Sequence, residues 1–345
     1  MSILTIPKEL QLHIIGLLPV IDQLKLSETC HGLKDQVRDP SLWKKLVLDY
    51  DMIKNNNEAC RKHVARCSKL KELCIIQPCP WDAPGAVRSD KIMSVVMKAK
   101  RTLTTLSIDR IALSNSSFKQ ISQITQLTKL AIHVGKMKTG GFSDLANLSK
   151  LESLRIRGFC SDGVLNDLVD FFSILNQLEE VEFYMFYLKD EVIKSLVENN
   201  PKLHHLKIHT PGSQFSQLIG ESLNLIADNC PQLTHIDVAN HHVFKNADII
   251  NLVSKCSKLK HVNFRNTGIK DDALARLAHD CPDLEHLNIS RCVDITDQGI
   301  EAFLQTASLA KLKKIDISDC GDFLSPSPEL MMRIVQEYPH INIVF

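Results

Sequence analysis

Residues 281–300 read CPDLEHLNISRCVDITDQGI, and this stretch decides the fold. From Leu284 it contains one leucine, two variable residues, an aliphatic residue, one variable residue and a second aliphatic residue. Alternate side chains of a strand point to opposite faces, so Leu287 and Ile289 predict a short strand with one apolar face. That face needs a core to cover it.

The second half of the stretch predicts a helix. Either Thr296 or Asp297 can cap its first turn. Ile300, Phe303 and Leu304 follow with helical spacing and form an apolar stripe. The stretch therefore describes one strand and one helix that share a core.

The same strand pattern recurs along most of the chain. Its first leucine stands at Leu70, Leu103, Leu127, Leu151, Leu178, Leu203, Leu233, Leu259, Leu284 and Leu312. These positions lie 24–33 residues apart, as in leucine-rich repeats. No single unit can bury its apolar face alone, so stacked units must create the core. We therefore predict an α/β solenoid over residues 67–345, a horseshoe of about ten repeats plus a C-terminal strand, with a parallel concave sheet and convex helices.

Cysteines recur in register with these repeats. Cys230, Cys256 and Cys281 each stand just before a strand, and Cys292 and Cys320 share a second position after it. This spacing resembles the cysteine-containing subclass of leucine-rich repeats. Unpaired cysteines spread through a long chain are also typical of a reducing compartment, so we expect a cytoplasmic or nuclear protein.

The first 48 residues lack the repeat and predict three short helices. Pro7 opens the first helix, and Asp39 caps the turn that ends the third. A segment this short cannot hide all its apolar residues, which favours a partner surface.

The motifs IPKEL and DPSLW, at residues 6–10 and 39–43, resemble the F-box, although Ile6 stands where that family usually has leucine. An F-box followed by leucine-rich repeats is similar to the F-box/leucine-rich-repeat family. The resemblance implies a non-catalytic substrate receptor of a cullin–RING ubiquitin ligase. Residues 1–48 would bind a Skp-type adaptor, and the repeats would bind a substrate protein. We expect residues 49–66 to form a connecting helix between them. The residues expected to contact the adaptor are Pro7, Leu10, Ile14, Leu17, Leu18, Leu42 and Trp43.

Four histidines occupy one position on consecutive strands, at His205, His235, His261 and His286. Their parity places them on the solvent face, in a line along the sheet. A line cannot converge on one tetrahedral metal, although two adjacent rings could, and we expect no metal and no cofactor. Two interpretations stand: histidine is simply common at this place in such repeats, or the line is a hydrogen-bonding recognition strip.

Other polar residues on the same predicted face complete the candidate substrate surface. They are Arg155, Arg157, Glu182, Tyr184, Lys207, His209 and Arg265. Exposed tyrosine and arginine are enriched at binding hot spots, and the mixed charges favour a polar protein segment. A solvated face without a partner is the alternative. Trp81, in the longest repeat, can pack at the F-box junction or stand exposed; we expect packing.

The composition argues against other classes of function. The chain of 345 residues carries 41 Lys and Arg against 40 Asp and Glu, so it lacks the basic excess expected of a nucleic-acid binder. We find no Gly-rich phosphate loop, GxSxG or HExxH motif, and no apolar run long enough to span a membrane. Cys60, His63, Cys67, Cys74 and Cys79 suggest zinc, but structural cysteines fit better because Cys67 already has a repeat position. The remaining alternatives are a scaffold without a ligase role and an enzyme, the latter disfavoured.

Overall fold

The computed structural model describes residues 5–18, 20–26, 29–77, 89–134, 141–158, 161–210, 218–306, 310–321 and 326–345. They form two compact units. The first contains the described residues up to 134 and also 147–151; the second contains 141–146 and the residues from 152 onward. Trp81 and Cys79 lie outside the described residues.

The first unit combines the N-terminal helices with the first strands. Its helices are α1 (Lys8–Gly16), α2 (Val20–Leu26), α3 (His31–Val37), α4 (Tyr50–Asn55), α5 (Asn57–Arg66), α6 (Ser89–Val96) and α7 (Asn115–Ile121), with 3-10 turns at Pro40–Trp43 and Met97–Ala99. Its strands are β1 (Lys45–Asp49), β2 (Glu72–Ile76), β3 (Thr105–Leu113) and β4 (Lys129–Val134). They pair in parallel in chain order. The segment 49–66 holds α4 and α5 rather than one connecting helix.

The repeat sheet begins earlier than the sequence pattern suggested. In β1, Leu46 lies beside Leu73 of β2 and Leu48 lies beside Ile75. Trp43 therefore takes the place that Leu70 has in the next repeat, and it is buried at 3% exposure. The boundary predicted at residue 48 falls inside this strand, because the last part of the F-box segment supplies the edge of the sheet.

The second unit contains the later repeats. Its strands are β5 (Ser153–Gly158), β6 (Glu180–Met185), β7 (His205–His209), β8 (His235–Asp237), β9 (His261–Asn263), β10 (His286–Asn288), β11 (Lys314–Asp316) and β12 (Asn342–Val344). Its helices are α8 (Phe142–Leu145), α9 (Asp162–Ile174), α10 (Asp190–Asn199), α11 (Gly220–Asn229), α12 (Asn246–Lys255), α13 (Asp271–Asp280), α14 (Asp297–Leu304) and α15 (Pro328–Glu337). Its strands pair in parallel in chain order, which confirms the predicted α/β repeat fold.

The core of the second unit is built in levels. Leu206, Ile236, Val262, Leu287 and Ile315 stand side by side on neighbouring strands and are all buried. Each of these residues is directly preceded by a histidine or a lysine. That side chain points to the opposite face of the sheet and is partly or largely exposed. Alternation along each strand thus separates an apolar inner face from a polar face, which we call the open face.

The repeated cysteines belong to this core. Burial raises the pKa of Cys230, Cys256 and Cys281 to about 12, so the thiols stay protonated at neutral pH. The Sγ atom of Cys256 donates to the carbonyl oxygen of Cys230 at 3.5 Å, and that of Cys281 donates to Cys256 at 3.6 Å. These cysteines connect one repeat to the next.

Carboxylates at the helix starts also bridge neighbouring repeats. Asp190 accepts the backbone N–H of Ile219 at 3.2 Å, and Asp271 accepts that of Thr296 at 2.9 Å. Asp297 accepts the N–H of Ser327 at 3.2 Å. Of the two caps left open for α14, Thr296 is the one used: its Oγ1 accepts the N–H of Gly299. Each carboxylate satisfies a backbone donor that would otherwise lack a partner.

The strand register yields a direct test. Replacing Leu287 with alanine should lower the free energy of unfolding by about 2–5 kcal/mol, since it removes a buried side chain and leaves a cavity. The adjacent His286→Ala variant should cost less than about 1 kcal/mol, since that ring lies on the open face. Chemical denaturation measures both; equal losses would contradict the register.

Candidate protein-interaction surfaces

Charged side chains on β5 to β8 form one connected group on the open face. The Nε and Nη2 atoms of Arg155 donate to the two carboxylate oxygens of Glu182, at 2.8 and 2.7 Å. Lys207 and Asp237 pair at 2.6 Å. Each pair spans two neighbouring strands, at positions that the register places opposite each other. The bidentate geometry fixes the Arg155 and Glu182 side chains in place.

Tyr184 lies between these two ion pairs. The guanidinium carbon of Arg157 lies 4.4 Å from the centre of its ring, and the Lys207 amino group lies 5.5 Å away. The ring of His209 lies 5.6 Å from that of Tyr184. Cation–π contacts of this kind orient an arginine that is still partly exposed. We call these residues, with the two ion pairs, the Tyr184 cluster.

The ion pairs set the charge state of the cluster. Burial alone would raise the pKa of Glu182, but the Arg155 guanidinium outweighs burial and holds the pKa below its ordinary value. Burial would lower the pKa of Lys207, but the hydrogen bond to Asp237 keeps it raised. Both groups are therefore charged at neutral pH. Burial raises the pKa of Tyr184, which keeps the phenol protonated.

The four histidines form the predicted line along the open face. The ring centres lie 5.2 Å apart between His205 and His235, 4.1 Å between His235 and His261, and 4.5 Å between His261 and His286. The last two pairs are stacked within 11° of parallel. With the polar residues beside them, they line a groove of about 310 Å³ across β7 to β11. We call the four histidines the histidine ladder.

Burial and the neighbouring rings lower the pKa values of three ladder histidines, His205, His235 and His261. Burial, followed by the proximity of His261 and His205, lowers the pKa of His235 to about 4. Burial also lowers the pKa values of His205 and His261. These rings are neutral at pH 7 and offer hydrogen-bonding nitrogen atoms rather than charge.

One end of the ladder brings three possible metal ligands together. Donor atoms of His261, Glu285 and His286 all lie within 4.8 Å of one another. However, Glu285 pairs with Lys313 at 2.5 Å, and two nearly parallel rings cannot both direct their nitrogen atoms at one ion. The arrangement as it stands is a stack rather than a coordination sphere.

Beyond the ladder, a second row of polar residues has a structural role. The side-chain oxygens of Asp237, Asn263, Asn288 and Asp316 each accept the backbone N–H two residues later, at 2.9–3.2 Å. Such turns end each strand at the same place. Arg265, one of the predicted substrate contacts, is half-exposed just beyond such a turn, and its own N–H donates to Asn263. It stands outside the Tyr184 cluster.

The predicted adaptor contacts divide between surface and core. Leu10, Ile14, Leu17 and Leu18 are exposed by 53%, 41%, 73% and 37%, on and just after α1. Pro7 is also exposed, and Leu42 is half-buried.

Trp43 is the exception. Its Nε1 donates to the carbonyl oxygen of Val37 at 2.6 Å, and its ring packs edge-on against His63. Its repeat position thus places Trp43 in the core, at 3% exposure, and a direct contact of Trp43 with the adaptor stays a prediction.

Sequence reasoning did not include Asp237 in the substrate surface. Its pairing with Lys207 follows from the repeat alignment, since the two residues occupy one position on neighbouring strands and carry opposite charges. None of the described helices is long and apolar enough to cross a membrane.

Comparison with known proteins finds similarity in both parts of the chain. Residues 3–49 match the family model for F-box-like domains, and residues 280–304 match a leucine-rich repeat model. The bovine F-box/LRR-repeat protein 4 is 26% identical over 98 residues, which are 28% of this chain and 16% of that protein. The putative F-box/LRR-repeat protein 23 of Arabidopsis thaliana is 26% identical over 120 residues, which are 33% of this chain and 26% of that protein.

A solved structure extends the likeness of fold over nearly the whole chain. A chain in the crystal structure of the yeast Rad7 and Elc1 complex superposes with a TM-score of 0.55 at 16% identity, covering 98% of this chain and 92% of that one. The resemblance to F-box/leucine-rich-repeat proteins is thus confirmed, while the alignments span about a quarter or less of the curated relatives.

The histidine ladder makes the stability of the protein depend on pH. Since the pKa of His235 is about 4 when folded and near 6.5 when unfolded, the unfolded chain binds more protons between these values. Stability should be complete above about pH 6.5 and fall as the pH drops toward 4. We expect His235→Gln to reduce the loss of stability between pH 7 and pH 5, because glutamine does not take up a proton. The reduction should be only about 1 kcal/mol, because solvent screens the partly exposed ring. Denaturant titrations at both pH values measure this; an unchanged loss would contradict it.

Proposed function

We propose that the chain is the substrate receptor of a Skp–cullin–F-box type ubiquitin ligase. The F-box segment binds the Skp-type adaptor, and the open face of the repeats binds the protein to be ubiquitinated. The observation that carries the proposal is the apolar surface of α1, inside the segment that matches the F-box-like model. Such a receptor is not itself an enzyme; it raises the local concentration of the substrate near a recruited enzyme.

The exposed face of α1 supports the first contact. Its side chains Leu10, Ile14 and Leu17 recur at intervals of four and three residues, so they lie along one side of the helix. Clustered apolar side chains on a small helical segment are characteristic of a protein interface. Polar groups of this segment are used locally: Lys8 pairs with Asp39 at 2.8 Å, which ties the start of α1 to the turn before β1.

The Tyr184 cluster supports the second contact. It offers a fixed tyrosine ring, a partly exposed arginine and charges of both signs, which together suit a polar segment of a partner protein. The histidine ladder continues this surface with the hydrogen-bonding nitrogen atoms of its imidazole rings. A substrate segment that crosses β5 to β10 would meet the cluster first and the ladder next.

A scaffold without a ligase role is the alternative, because the open face is available whether or not α1 has a partner. Removing residues 1–48 would not separate the two, since that deletion also removes most of β1 from the sheet. Substitutions on α1 are the cleaner means of distinguishing them.

Replacing Leu10 and Leu17 together with aspartate should abolish capture of the adaptor and of the cullin, because buried apolar anchors dominate such interfaces. Affinity purification from cells followed by quantitative mass spectrometry measures the capture. The matched control is Ile219→Asp with Val293→Asp, two side chains of similar exposure, 53% and 52%, in the later repeats.

The control should retain adaptor and cullin at the wild-type level. Unchanged adaptor capture by the α1 variant would contradict the F-box assignment. The α1 variant could lose the adaptor while the abundance and ubiquitination of its other partners remain at the wild-type level. That result would support the scaffold alternative.

The substrate contact is tested on the open face. Reversing the charges of Arg157 and Arg265 to glutamate, together with Tyr184→Ala, should remove substrate proteins from the purified complex while adaptor binding and melting temperature stay unchanged. All three side chains are partly exposed on the open face and none belongs to the core, so little stability should be lost.

The matched control makes the same three changes on the helical side of the repeats, at Arg276, Arg333 and Tyr338. We expect substrates to remain with the control and to accumulate in cells that carry the open-face variant. Identical partner lists for the two variants would place recognition elsewhere on the chain.

A further inference from the structure

A separate concave site lies within the first unit. A pocket of about 520 Å³ is enclosed by α3, the turn at Pro40–Trp43 and the end of α5. Its floor contains the buried side chains of Val37, Trp43 and Cys67. The exposed apolar residues of α1 do not line it, so it is distinct from the proposed adaptor surface.

Among the described residues that line this pocket, the ionisable side chains are basic apart from two cysteines. The basic residues are His31, Lys34, Arg38, His63 and Arg66, and the described lining contains no aspartate or glutamate. Since the whole chain has nearly equal numbers of acidic and basic residues, this separation of charge does not follow from composition. The positive charges of Lys34, Arg38 and Arg66 around one space repel each other, and an anion in that space would relieve the repulsion.

The cations of the pocket have no acidic partner within the described part of the chain. On α5, Arg61 and Lys62 both pair with Glu58, at 3.1 and 3.6 Å. Among the residues that the structure describes, Lys34, Arg38 and Arg66 form no ion pair. Basic side chains of α5 outside the pocket are thus paired with Glu58. The basic side chains of the pocket remain available to bind an anion.

One wall is held rigidly. The rings of His63 and Trp43 meet edge to face with centres 4.3 Å apart, and the Trp43 indole is fixed by its hydrogen bond to Val37. Burial, with a smaller contribution from Arg66, lowers the pKa of His63 to about 4, so the ring is neutral at pH 7. A neutral imidazole can donate one hydrogen bond to an oxyanion whose charge is balanced by the arginines.

We propose that this pocket binds a small phosphorylated molecule. Its phosphate group lies against Lys34, Arg38 and Arg66, and its organic part lies toward Trp43. Arginine and lysine are the side chains that bind phosphate most readily, arginine through paired N–H donors. The volume is within the range of small-molecule sites and exceeds what a single phosphate ion would fill. The site is independent of the proposed ligase function.

The test uses the purified full-length chain and isothermal titration calorimetry, with inorganic phosphate and phenyl phosphate as probes. Phenyl phosphate should bind at least about tenfold more tightly than inorganic phosphate, because only it reaches the aromatic floor. Arg38→Glu with Arg66→Glu should weaken phenyl phosphate binding by at least about tenfold. The matched control is Lys69→Glu with Lys100→Glu, two exposed lysines of the same unit that do not line the pocket. It should bind within about twofold of wild type.

If the charge-reversal variant fails to fold, as judged by circular dichroism, Arg38→Gln with Arg66→Gln replaces it and should show the same loss. Absence of saturable phenyl phosphate binding to wild type would overturn the proposal, as would equal losses in the pocket variant and the control. Binding of a phosphoserine peptide without binding of phenyl phosphate would also overturn it, because the ligand would then be a protein segment.

Discussion

The parallel register of neighbouring strands is the constraint on which the rest of the structure depends. Leu206, Ile236, Val262 and Leu287 can share one buried level only if every strand begins at the same height. The same alignment places equivalent residues of neighbouring strands side by side on the open face as well as in the core. Histidines therefore stack on histidines, and Arg155 meets Glu182. The side-chain arrangement of the open face is thus a consequence of how the core is packed.

Trp43 shows how the same constraint joins the N-terminal helices to the sheet. As the first apolar residue of the β1 unit it is packed with the core, and its indole also fixes the end of α3 through Val37. One side chain thereby belongs to both the F-box segment and the first repeat. The end of α3 cannot move freely relative to β1 without breaking this contact.

Much of the fold followed from sequence because period and parity are visible in it. The repeat, the buried cysteines and the exposed histidine line all rest on those two signals. The early start of the sheet was missed because Trp43 replaces the leucine of the pattern, although it stands 27 residues before Leu70, a normal repeat length. The basic pocket could not be predicted, since it requires α3 and the end of α5 to line one space, an arrangement that no periodic pattern specifies.

The bridges from Asp190, Asp271 and Asp297 to the following repeats have a consequence for how the array responds to stress. Each bridge adds to the interface energy between nearest neighbours rather than to the stability of one repeat. In a linear array, strong interfaces make adjacent units open together instead of fraying one at a time. A protein segment that spans several strands of the open face would then be bound by a surface that opens as one cooperative block.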